Sequence, residues 1–184
     1  MSLKVTSQEL LAHALKELLQ KNDLDSVSVE NILAVSGVSR ATFYKYFGSK
    51  YELAEHVFLS ELANEQFFDY SRSLEEREIE ILRYLERNRT LYRNALVSRE
   101  FRDAWMRAAY KADREYLGTL CASTGASQEE IRLFAEFASR AMVDTTWLWV
   151  TDPGPYSPEY LARKPVVFVE HGTGALTALG KPGF

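Results

Sequence analysis

The stretch "VSVENILAVSGVSRATFYKYFGSK", Val27 to Lys50, decides how this chain of 184 residues is read. From Asn31 to Tyr51 there is no acid, although the chain carries a formal net charge of −4. Over the same span stand Arg40, Lys45 and Lys50, interleaved with Phe43, Tyr44, Tyr46 and Phe47. Ser28 is placed to cap a helix over "VENILAVS", which stops at Gly37. Ser39 is placed to cap a second short helix, "RATFYKYF", which stops at Gly48. Gly37 suits the left-handed backbone that a tight turn between two helices needs. Two short helices across such a turn make a helix-turn-helix.

In that arrangement the second helix enters the major groove of DNA. Ile32, Leu33, Val38, Phe43 and Phe47 can close a small core against a preceding helix. At 3.6 residues per turn, Phe43 and Phe47 share one face. Ala41, Tyr44 and Lys45 then project from the other face, with Arg40 at its edge, and these four are the expected base contacts. Arg40 can donate two bonds to guanine O6 and N7, and Tyr44 can pack on a thymine methyl. Thr42, Tyr46 and Lys50 are expected on phosphates, which fix register without reading sequence. An acid here would face the phosphates and cost affinity, which gives the gap in acids a physical reason.

Helical signals continue on both sides. Thr6 and Glu9 form a capping box ahead of Leu10, Leu11, Ala14, Leu15, Leu18 and Leu19. Ser49 with Glu52, and Ser127 with Glu130, repeat the pattern. "EIEILRYLERNRTLYRNALV" reads as one helical run with Ile79, Leu82, Leu85, Leu91, Tyr92 and Leu96 inward. Phe101, Trp105, Ala109, Ala112, Tyr116 and Leu120 stripe the next helix. Glu75, Glu76, Glu78 and Glu80 read as a solvated helix start. "TDPGPYSP" is a turn, and the β-branched "VVFV" at Val166 has no pairing partner. The expected fold class is all-α, with eight or nine helices.

The remaining features exclude several classes. Apolar residues make up 46% and charged residues 26%, as in an ordinary globular protein. No run approaches the ~18 apolar residues of a membrane span. Gln8 and Glu9 interrupt any signal-peptide core, so the expected location is the cytoplasm. One cysteine, Cys121, allows neither an internal disulfide nor a cysteine cage, and it is expected to be buried and inert. His13, His56 and His171 lack metal-ligand spacing. The GxG in "HGTGALTALG" lacks the spacing of a dinucleotide site. No catalytic residue, metal or cofactor is expected.

"VSVENILAVSGVSRATFYKYFGSKYELAEHVF" resembles the DNA-binding region of TetR-type transcriptional regulators. Gly37-Val38-Ser39, Thr42-Phe43-Tyr44, Tyr46-Phe47, Lys50 and Leu53 carry the likeness, over about the first 60 residues. It implies a homodimer of nine-helix subunits on an operator in double-stranded DNA. The first three helices, taken as residues 1–50, would bind DNA. Residues 51–184 would bind a small effector and dimerise, usually through the last two helices. Carried across, Arg40, Ala41 and Tyr44 meet bases, and Ser28, Ser39, Thr42, Tyr46 and Lys50 meet the backbone. Leu33 and Ser36 depart from the family's alanines. Pro165, Gly172, Gly174 and Gly180 fall where a regular dimerising helix is implied.

The helix after Ser127 is apolar on more than one side. Ile131, Phe134, Ala135, Ala138, Ala141, Met142, Thr145, Leu148 and Trp149 form a stripe, with Phe137, Trp147 and Val150 off it. Such a helix is either central to its own core or shared with a partner. On the second reading Phe134, Phe137, Ala141, Leu148 and Trp149 would meet the other subunit. Trp105, Tyr116 and Trp147 are the candidates for an effector pocket, and Asp144 is expected to be satisfied or at an interface. The function expected is a repressor released by a small molecule. The alternative is an activator or co-regulator acting through a protein partner. A small helical enzyme would need a reactive residue that nothing here nominates.

Overall fold

The computed structural model describes residues 5–64, 67, 71–163, 166, 167 and 171, and these form helices without strands. Pro165 and the three C-terminal glycines named above lie outside the described residues. The chain divides into two compact units. One comprises Met1–Glu65 with Asn88–Trp105, the other Gln66–Arg87 with Met106–Phe184.

The first unit begins with α1 (Ser7–Leu19), whose Thr6–Glu9 capping box closes as expected. It buries Leu11, Ala14, Leu15 and Leu19 and turns Leu10 outward. The helices α2 (Val29–Ser36), α3 (Arg40–Tyr46) and α4 (Lys50–Asn64) follow. They place Ile32, Phe43, Leu53 and Phe58 in the core. Each such side chain contributes about 1.5–3 kcal/mol by leaving water. The start of α4 differs from a simple box. Glu52 N–H donates to Ser49 Oγ at 3.2 Å, but the Glu52 carboxylate accepts from Gly48 N–H at 2.7 Å.

The rest of this unit is α6 (Arg89–Leu96) and the start of α7 (Arg99–Cys121). Phe58 meets Tyr92 at 4.8 Å and Phe101 at 5.2 Å between ring centroids. Asn94 is buried, and its Nδ2 donates to Leu19 O at 2.8 Å while its backbone carbonyl accepts from Leu24 N–H at 3.0 Å. That ties α6 to the end of α1 and the loop behind it.

The second unit holds α5 (Leu74–Arg87), the remainder of α7, α8 (Gln128–Thr151) and a helical stretch at 158–163. The run expected as one helix is therefore two, divided at Asn88, whose φ of −108° and ψ of 17° leave the helical region. Leu74, Tyr116, Leu117, Ala135, Ala138, Met142 and Val166 form a shared core, with Phe134 leaning on it. Cys121 is buried, and burial raises its thiol pKa.

The charge run also differs from expectation. Ser73 and Glu76 cap α5 reciprocally, as a solvated start should. Glu78 instead is buried together with Arg77 and Asp113. Arg77 Nη1 donates to Glu78 at 2.7 Å, Nη2 to Asp113 at 2.6 Å, and Nε to Phe67 O at 2.9 Å. The guanidinium lies 4.6 Å from the centre of the Tyr116 ring. Burial, reinforced by the Asp113 charge and opposed by Arg77, pushes the Glu78 carboxyl up to about 8. Burial raises Asp113 as well. A cavity of about 10 Å³ beside Glu78, closed by Met142, Thr145 and Thr146, has room for about one water.

Candidate nucleic-acid interface

The geometry of Val27–Lys50 is set by local chemistry. Ser28 Oγ accepts from Asn31 N–H at 3.1 Å, and Asn31 Oδ1 accepts from Ser28 N–H at 2.9 Å, so α2 begins on a capping box made with an amide. Gly37 ends α2 at φ 68°, a left-handed position, and its N–H donates to Leu33 O. Ser39 Oγ then accepts from Thr42 N–H at 3.2 Å and shares a 2.8 Å bond with Thr42 Oγ1, which starts α3. Phe47 returns to extended backbone and ends it.

Turned this way, α3 buries one side and offers the other. Phe43 and Phe47 are buried, 6.0 Å apart, and Phe47 packs on His56 at 5.3 Å. Leu33 and Val38 are half-buried beside them. Arg40, Ala41, Tyr44 and Lys45, the expected base contacts, are all exposed on one short helix. Tyr44 stands edge-on to Phe43 at 5.2 Å, so its ring is anchored at the base while the rest faces solvent. Lys45 Nζ lies 5.5 Å from the Tyr46 ring.

The residues expected on phosphates have prior engagements. The hydroxyls of Ser28, Ser39 and Thr42 serve the caps just described, and Tyr46 is exposed. Lys50 Nζ donates to Asp25 O at 2.8 Å and Val27 O at 2.7 Å, which leaves one of its three protons for an anion. Desolvation lowers the Lys50 pKa, against the opposing pull of Asp25 and Glu100. Sequence reasoning missed Glu30, whose carboxylate accepts a bond from Arg40 Nη2. Its own backbone N–H, followed by the Arg40 guanidinium, holds the Glu30 carboxyl below the usual range.

The effector candidates divide between the units. Trp105 is buried in the first unit, 6.4 Å from Tyr92, and its indole N–H meets no acceptor among the described residues. Tyr116 and Trp147 belong to the second unit, where the Tyr116 hydroxyl donates to Arg72 O at 2.9 Å. Asp144 accepts from the Tyr110 hydroxyl. On α8, Phe137, Ala141 and Leu148 are exposed, whereas Phe134 is half-buried and Trp149 is buried with its N–H on Tyr156 O at 3.0 Å. Leu133 joins the exposed set. Among the described residues no cluster of His, Cys, Asp and Glu could hold a metal, and no helix is long and apolar enough to cross a membrane.

Residues 11–57 match the family described as bacterial regulatory proteins, tetR family, and residues 72–171 match the family described as transcriptional regulator C-terminal region. The chain is 29% identical over 102 residues to the HTH-type dhaKLM operon transcriptional activator DhaS of Lactococcus lactis. That match spans 53% of this chain and about half (52%) of the relative. Among solved structures, the dihydroxyacetone kinase operon activator DhaS superposes with a TM-score of 0.71 at 21% identity, over 94% of this chain and 98% of that one. NalD, the secondary repressor of the MexAB-OprM multidrug efflux pump in Pseudomonas aeruginosa, gives 0.63 at 23% identity, over 90% and 95%. A TetR transcriptional regulator from Streptococcus agalactiae gives 0.61 at 20%, over 89% and 93%. At these identities the solved structures speak for the fold. The helix-turn-helix of residues 28–47 and the two family matches, one at each end, agree that the chain belongs to the tetR family of bacterial transcriptional regulators.

Proposed function

We propose that this regulator acts in the cytoplasm as a homodimer that represses transcription from an operator and is released by a small molecule. The observation that carries the DNA-reading assignment is the split of α3, with Phe43 and Phe47 buried behind an edge of Arg40, Ala41, Tyr44 and Lys45. Arg40 reads guanine, and Tyr46, Thr42 and the remaining proton of Lys50 hold phosphates, with Ser28 and Ser39 beside them at the helix starts. The dimer forms on α8. Leu133, Phe137, Ala141 and Leu148 fall within about 80° of one another around a helix of 3.6 residues per turn. Three of them are large apolar side chains exposed by 57–73%. Phe134 and Trp149 pack inside their own subunit in this conformation. Two copies of α3 then sit in successive major grooves, about 34–36 Å apart or somewhat more. An effector that favours a subunit shape with another spacing shifts the population off DNA.

A second reading has specific support. The relative matched in sequence is named an activator. On that reading the partner that changes DNA binding is a protein. Selection of duplexes from random DNA, followed by transcription from the selected site in vitro, tests both. A two-fold symmetric site whose occupancy lowers transcription supports repression, and one that raises it supports activation. Replacing Arg40 with Ala should cost about 1–3 kcal/mol on the selected site and little on random DNA. Failure to enrich any sequence would overturn the reading of α3.

A further inference from the structure

The Arg40 guanidinium is not loose in solvent. Its Nη2 donates to Glu30, and the Tyr44 ring centre lies 6.0 Å from its Cζ. Glu30 is the second residue of α2 and Arg40 the first of α3, so the turn at Gly37 is what joins them. Both side chains are more than half exposed, at 63% and 57%. An exposed pair of this kind adds little to the stability of the fold. Yet Glu30 stands at the edge of a run of residues otherwise empty of acids, on the surface that meets phosphate. An acid there lowers the affinity for any DNA. With stability too small a return, the pair's use lies in the aim of Arg40.

We propose that Glu30 is a positioning residue that sets the base preference of Arg40, an inference that rests on the DNA-reading assignment above. A guanidinium has five N–H groups on a flexible stem. Left alone, it bonds to phosphates and to lone acceptors such as thymine O4 or adenine N7. Held by Glu30 on one side and Tyr44 on another, it keeps two parallel donors for O6 and N7 of guanine. Adenine meets the same pair with one donor of its own, and cytosine meets it with an amino group. Glu30 also cancels the Arg40 charge, which weakens the sequence-independent pull toward phosphate.

The test uses the full chain on its selected site, on that site with the guanine under Arg40 changed, and on random duplex, at several salt concentrations. Wild type, Glu30→Gln, Glu30→Asp, Arg40→Ala and the Glu30→Gln/Arg40→Ala double variant are compared, with thermal melts as a folding control. Glu30→Gln should bind random DNA more tightly, with a salt slope steeper by about one. Its preference for guanine should fall by about five- to tenfold, a part of the discrimination that a bidentate arginine supplies. Glu30→Asp should restore most of that preference, and once Arg40 is alanine Glu30→Gln should shift the base preference no further, changing only the affinity common to all DNA. Equal tightening on all DNA with the preference intact would overturn the proposal, because Glu30 would then merely compete with DNA for Arg40. A change in preference that persists without Arg40 would overturn it too. If Arg40→Ala itself discriminates as the wild type does, the assignment of Arg40 to a base fails first, and the proposal falls with it.

Discussion

Replacing Arg77 with methionine removes the cation that faces both Glu78 and Asp113. Methionine keeps most of the volume but none of the bonds at 2.7, 2.6 and 2.9 Å. Breaking a buried ion pair from one side typically costs about 3–5 kcal/mol, because the remaining charge is stranded. In a protein of this size each kcal/mol moves the melting temperature by about 2–4 °C, so a drop on the order of 10 °C is expected. The loss should grow with pH. Glu78 and Asp113 both have raised pKa values in the folded state, so that state binds more protons than the unfolded chain between the ordinary carboxyl range and about 8. Their contribution to stability is therefore largest in acid and declines as pH rises toward 8. Arg77 limits that decline, and its removal steepens it. Melts followed by far-ultraviolet circular dichroism at pH 5 and pH 8 read both effects. Converting Glu78 and Asp113 to leucine in the same variant should recover most of the loss, since an apolar core needs no counter-charge. A single variant that melts within 2 °C of wild type at both pH values, or that suffers more at pH 5, would refute the reasoning.

Three further outcomes are expected. Gly37→Ala should lower stability by about 1 kcal/mol in urea titrations, from backbone strain alone at φ 68°, since a Cβ there meets nothing within 4 Å. A loss above 3 kcal/mol would show a clash that the structure does not contain. Lys50→Met should lower stability by about 1–2 kcal/mol, as the carbonyls of Asp25 and Val27 lose a charged donor, and should weaken binding to all DNA alike with a salt slope flatter by about one; an unchanged melt would free the ammonium from those carbonyls. Phe137→Glu should convert the dimer to a monomer in sedimentation velocity with the helical content intact, and a surviving dimer would remove this face of α8 from the interface.

What was legible in the sequence was what neighbours in sequence decide. The Thr6–Glu9 and Ser127–Glu130 boxes close because partner and cap are three residues apart. The α3 split into Phe43 and Phe47 against Arg40, Ala41, Tyr44 and Lys45 follows from 3.6-residue spacing alone. The division at Asn88 was hidden because the apolar period runs through it and neither glycine nor proline marks it. Glu78 carried a signal that its acidic neighbours obscured: it lies four residues after Leu74 and four before Leu82, on the buried face. No local pattern announces that Glu30 meets Arg40 across a turn, or that Lys50 reaches back 23 and 25 residues to carbonyls. Those bonds exist only once the helices have packed.

The helix starts of this chain are capped in two currencies. α1, α5 and α8 close on a glutamate, from Glu9, Glu76 and Glu130, and in each the bonds from the cap residue hold the carboxyl below its ordinary value. Such a cap is intact above the unfolded carboxyl value and is lost as pH falls through the lowered one. α2 closes on the Asn31 amide and α3 on the Thr42 hydroxyl pair, neither of which titrates. Only acid strong enough to pass below the ordinary carboxyl range therefore loosens those three helix starts, while α2 and α3 keep theirs.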